Sequence, residues 1–168
     1  KDGMTFRDTL RGWIGGNSPL SGSVYIYKTN DSGTTWAQQT LPLPSGYSNA
    51  YTSTSSPTFF NANDGVLPVW MGLDVGKRDL YIYVTHDGGT TWTRSTSFAR
   101  QGWNADFVSV NDGFTWNING YLQVTHNAGA SWTQVASNIN FGSDIPIMDF
   151  VSTTTGWVVQ NQVNGVSP

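Results

Sequence analysis

The feature that most limits what this chain can fold into is a short string that recurs. "THDGGTTW" (Thr85 to Trp92) is matched by "TNDSGTTW" (Thr29 to Trp36) and "THNAGASW" (Thr125 to Trp132). All three fit T-x-[D/N]-x-G-x-[T/S]-W. The chemistry is that of a tight turn. Asp31, Asp87 and Asn127 can accept hydrogen bonds from backbone N–H groups just ahead, as in Asx turns. Gly33, Gly89 and Gly129 supply a place where φ is positive. Trp36, Trp92 and Trp132 then open the next strand, each ring folding back over its turn. A turn repeated in this way makes the fold an array of like units.

A second motif alternates with the first. A phenylalanine precedes a glycine by six residues, and an apolar residue follows: Phe6–Gly12–Trp13, Phe59–Gly65–Val66, Phe107–Gly113–Phe114 and Phe150–Gly156–Trp157. The residues between are turn formers, so each reads as strand, turn, strand. Successive glycines lie 53, 48 and 43 residues apart, the scale of a four-stranded propeller blade. Composition agrees with an all-β fold. All eleven acidic residues are aspartate, aromatic residues reach 14%, and there are 19 glycines. Asp and Gly favour turns, and aromatic side chains favour strands. We therefore expect blades of four antiparallel strands at roughly 3–41, 57–98 and 103–137, with a partial blade at 145–168. Residues 42–56, rich in Pro, Ser and Thr, read as a linker-like loop.

The T-x-D-x-G-x-[T/S]-W turn resembles the Asp box, or BNR repeat. That motif occurs in sialidases, xyloglucan-cleaving glycosidases, sortilin-type receptors and photosystem II assembly factors. The pairing of F-x5-G-W with T-x-D-G-G-x-T-W is most similar to the last group and its bacterial relatives. The resemblance implies a β-propeller, and it implies that the box is structural, set between strands three and four at the outer edge of a blade. Asn127 and Ala128 depart from the pattern, which suggests a weakened third box. About three and a half blades do not close a ring, since propellers usually have four to eight. We expect part of a larger ring of six to eight blades, or a ring completed by self-association or by a second chain.

Charge narrows the partners. The net charge is −3, and the eight Lys and Arg residues are scattered, so a nucleic-acid partner is not expected. No apolar run reaches the roughly 20 residues of a membrane span. Without cysteine there is no thiolate metal site, and His86 and His126 alone make a poor one. No phosphate loop or nucleophile motif is present, so no cofactor is expected. A surface of Ser, Thr, Asn and Gly with little Lys and no Glu suggests an extracellular or cell-envelope location.

The expected function is a non-catalytic scaffold or binding module for a protein or glycan. The alternative is a glycoside hydrolase using aspartate carboxyl groups. Such an enzyme needs two carboxyl groups about 5 to 9.5 Å apart. Asp106 and Asp149 are the candidates, each directly before a repeat phenylalanine on an innermost strand. Arg7, Arg11, Arg78, Arg94 and Arg100 do not fall at matching repeat positions. For binding, Trp103 is expected in an inter-blade loop. Trp70 lies outside the boxes, and Tyr47 and Tyr51 lie in the 42–56 segment. Met71 to Asp79 reads as a second long insertion. Because the boxes repeat, a site is expected in what does not.

Overall fold

The computed structural model describes residues 3–17, 22, 24–74, 76–135, 138–142 and 147–159. The last residues of the expected third unit, and the fourth unit at 145–146 and beyond 159, lie outside them. Among the described residues the chain is all β, with no helix.

The first blade is β1 (Gly3–Phe6), β2 (Gly12–Gly15), β3 (Ile26–Thr29) and β4 (Ala37–Gln38), in that spatial order and antiparallel. The third blade repeats it with β10 (Trp103–Phe107), β11 (Gly113–Trp116), β12 (Leu122–Thr125) and β13 (Thr133–Gln134). A hairpin, β14 (Ile147–Phe150) and β15 (Gly156–Val159), forms the start of a fourth.

The second blade departs from expectation. It contains β5 (Tyr51–Thr54), β6 (Thr58–Phe59), β7 (Gly65–Asp74), β8 (Lys77–Thr85) and β9 (Thr93–Arg94). Both β5 and β6 pair with β7, so the innermost strand is split in two. The split faces Pro68: Thr54 pairs with Val69 and Thr58 with Val66, leaving residues 55–57 opposite 67–68. Three residues against two is a bulge, and neither Pro57 nor Pro68 has an N–H for the ladder. Pro68 still accepts the Ser55 N–H at 3.2 Å. Residues 51–54, read from sequence as loop, are therefore strand. Likewise Met71 to Asp79, read as an insertion loop, extends β7 and β8 into one long hairpin.

The Phe-x5-Gly motif has a direct cause. In all four hairpins the phenylalanine pairs across the ladder with its glycine: Phe6 with Gly12, Phe59 with Gly65, Phe107 with Gly113 and Phe150 with Gly156. The ring lies flat over the glycine. A Cβ on Gly113 would sit 2.5 Å from Phe107 Cε1, so no side chain fits. Two residues after each phenylalanine stands a turn-capping residue. Asp8, Asn61 and Ser109 each accept the N–H groups of the two residues closing the hairpin.

Blades pack through one recurring contact. The residue after the glycine of one blade meets the phenylalanine of the next. Trp13 lies 4.6 Å from Phe59, Val66 shares a core with Phe107, and Phe114 stacks on Phe150 at 3.7 Å and 10°. The main core fills the first of these joins, around Trp13, Ile26, Leu67, Val69, Met71 and Tyr83. Burying such side chains contributes about 1.5–3 kcal/mol each.

Candidate functional site

The three Trp-ended turns are built alike. Thr29, Thr85 and Thr125 hydroxyls accept the N–H of Gly33, Gly89 and Gly129 at 2.9, 2.8 and 2.9 Å. Asp31 accepts the Thr35 N–H at 2.9 Å and Asp87 the Thr91 N–H at 2.8 Å. Hydrogen bonds from Thr35 hold the Asp31 carboxyl at a pKa of about 2, and those from Thr91 do the same for Asp87. Asn127 keeps the geometry, accepting from Ser131 N–H at 2.8 Å and donating its amide to Ser131 Oγ at 2.9 Å. The three glycines have φ of 87°, 74° and 81°. Trp36 donates its indole N–H to Gly33 O at 3.0 Å, closing the first turn. Every polar group of these turns is committed inward. His86 and His126 bind Asp64 and Asp112 at 2.6 and 2.8 Å, tying each turn to the hairpin of its own blade.

The other candidates fall in separate places. Asp106 accepts the backbone N–H of Phe150 at 2.5 Å, joining the third blade to the fourth. Asp149 precedes Phe150 and points to the opposite face of β14, paired with Trp157 and exposed. The two carboxylates therefore do not face each other across a groove, because strand alternation separates neighbours. Tyr47 packs edge-on against Tyr81 at 5.9 Å, at the rim of the main core. Trp70 gives its indole N–H to Gly102 O at 2.7 Å. Tyr51 and Trp103 are exposed, each at the start of an innermost strand and in different blades; Trp103 opens β10 and does not sit in a loop.

One cleft of about 600 Å³ opens between the first two blades, lined by the β1–β2 and β6–β7 hairpins. That size suits a small ligand or a short peptide segment. Arg7, Asp8 and Arg11 are its charged groups. Arg7 donates to Ala62 O at 2.7 Å and Gly88 O at 3.0 Å, and its guanidinium stands 5.6 Å from the Phe59 ring centre. It fastens one blade to the next. Arg11 donates to Asp8 at 3.0 Å, yet its side chain is 48% exposed. The backbone N–H groups of Arg11 and Leu10, then the two guanidiniums, hold the Asp8 carboxyl well below the ordinary carboxylate range. Two positive charges thus face one fixed negative charge, leaving the rim of the cleft positive.

Sequence reading did not single out this cluster. Its signal is a break in the repeat. The place of Arg7 is taken by Phe60, Val108 and Val151 in later units. The place of Arg11 is taken by Asp64 and Asp112, the partners of His86 and His126. In the first unit Asn30 replaces the histidine, and the arginine is left facing solvent.

No family model matches this chain, and no curated protein does. Solved structures do. A structure titled YCF48 bound to D1 peptide matches with a TM-score of 0.53 and 18% identity, over 86% of this chain and 41% of that one. YCF48 from Cyanidioschyzon merolae matches with a TM-score of 0.53 and 19% identity, over 78% and 38%. The chain spans about two fifths of the length of these structures. The likeness is one of fold: the chain is a β-propeller of antiparallel blades.

Proposed function

We propose that this chain is a non-catalytic propeller module that holds a segment of another protein in the cleft between its first two blades. The observation that carries the reading is Arg11, whose exposed guanidinium stands beside the fixed Asp8 carboxylate at an open inter-blade cleft. A guanidinium in that setting suits a carboxylate on an extended peptide, which it can grip through two parallel hydrogen bonds. The Phe59 and Phe60 side chains and Pro57 supply apolar contact alongside. A neighbour of the same fold has been solved with a peptide bound, which supports protein recognition as the class of function. We read the Trp-ended turns as Asp boxes, the blades as part of a larger ring, and the setting as extracellular or cell envelope; the last rests on composition alone.

A second reading is favoured by Trp103, whose ring is 41% exposed on β10. A flat exposed indole suits stacking on a sugar. The two readings separate in one experiment. The protein is titrated against arrayed peptides bearing acidic side chains or free C-termini, and against an oligosaccharide panel. Protein recognition predicts peptide binding that falls at least tenfold in Arg11→Ala and is unchanged in Trp103→Ala. Binding confined to sugars, or peptide binding indifferent to Arg11, overturns it.

A further inference from the structure

The contact that joins one blade to the next is left half-made at two places. In the third blade Phe114 and Trp116 are 4% and 3% exposed. Phe150 of the fourth blade covers the first of them, and Phe141 packs edge-on against Trp116 at 4.9 Å. The same positions in the fourth blade are Trp157 and Val159, and both are 59% exposed. Ile147 pairs with Val159 across the hairpin and shares this face. At the other end, Phe6 is the phenylalanine of the first blade, and no preceding blade covers it. It is exposed together with Met4 and Ile14, which pair with each other on its face of β1 and β2. Their counterparts in the fourth blade, Met148 and Val158, are half-buried on the face turned toward the third.

The backbone shows the same complementarity. Asp106 grips the N–H of the next blade's phenylalanine. Asp149 holds that place in the fourth blade, and among the described residues it has no hydrogen bond or ion pair. Arg7 N–H donates to Arg11 O, so ladder alternation turns the Phe6 N–H away from β2, toward the open edge. One face thus presents an indole and a carboxylate, and the other a phenyl ring and an N–H. Only these two faces have the parts of the internal join, and they are different surfaces of the molecule.

From this we infer that the β14–β15 face of one chain docks head-to-tail on the β1–β2 face of a second copy of this chain, Trp157 covering Phe6 and Asp149 receiving the Phe6 N–H. The contact continues the blade-to-blade stacking across two molecules. It is heterologous, so it builds a ring where the rotation closes and a filament where it does not. It stands independently of what the cleft binds.

Cross-linking tests it, since the chain contains no cysteine. Phe6→Cys and Trp157→Cys chains are prepared separately, with circular dichroism and Trp13 burial checked by fluorescence quenching to confirm folding. A short bis-maleimide is then added to each alone, to their mixture, and to the double variant. Because each cysteine replaces a ring of the join, the same reaction is run with Thr5→Cys and Val158→Cys, which leave both rings in place. The proposal predicts cross-linked dimers in the mixtures and little in either single variant alone. It also predicts that adding Asp149→Ala to the Val158→Cys chain lowers the mixed yield several-fold. Equal yields in the single variants would show a symmetric contact. A cross-link within one double-variant chain would show the arc closing on itself, and absence of any cross-link in both pairs would show no association. Each of these three outcomes overturns the proposal.

Discussion

At the scale of single residues, the Trp-ended turn explains why a chain with eleven aspartates and no glutamate is built as it is. Asp has the one-carbon reach that lets its carboxylate collect N–H groups from the backbone just ahead. The third turn shows which atoms matter. Asn127 lacks the charge but retains the acceptor and gains a donor, and the turn geometry is unchanged. Asp87→Asn should therefore be mild, while Asp87→Ala should destabilise by about 1 kcal/mol through the lost turn bonds. Thermal denaturation of the two variants checks this; equal losses would contradict it. The acid behaviour follows from the same bonds. Asp31 and Asp87 have folded pKa values of about 2, below the ordinary 3.8. A carboxyl depressed by folding stabilises the protein above its unfolded pKa and loses that contribution as pH falls through the folded one. Melting temperature should thus decline most steeply between about pH 4 and pH 2. In the double variant Asp31→Asn, Asp87→Asn that decline should be shallower, and an unchanged slope would show that these carboxylates do not contribute.

At the scale of elements, the hairpin of strands one and two is set by a ring lying on a glycine. Gly113→Ala places a methyl against Phe107, and overpacking of this kind costs about 1–3 kcal/mol. Trimming the ring in the double variant Phe107→Leu, Gly113→Ala should restore part of the loss, as measured by denaturant unfolding. If the double variant is no more stable than Gly113→Ala, the ring is not the obstacle. This motif, like the turn, was legible in the sequence because repetition converts a weak local signal into a register. What did not repeat was harder to read. Tyr51 to Thr54 is a strand that only β7 completes, and its polar, Ser- and Thr-rich neighbourhood resembles a loop. The 71–79 hairpin carries Gly72, Gly76 and four charged residues, which mark a turn by type although most of them lie on ladder positions. The Arg11 cleft was hidden for a further reason. Arg7 and Arg11 came into view only when the hairpins of two blades, some 50 residues apart in sequence, were brought side by side.

At the scale of the whole molecule, the blades are held in line by a contact repeated from one to the next: indole on phenyl, valine on phenyl, phenyl on phenyl. The charge and shape that distinguish one blade from another, Arg11 above all, are then free to vary without disturbing the stack. This modular organisation is the premise of both the cleft and the open end faces. Hydrogen exchange on Phe150→Ala tests it most directly, because Phe150 is the ring that couples the fourth blade to the third. The substitution should weaken that join by about 2 kcal/mol. The account predicts at least tenfold faster exchange at the amides of β14 and β15, with those of β7, β8 and β11 little changed. Faster exchange spread evenly over all blades, or none in β14 and β15, would contradict it.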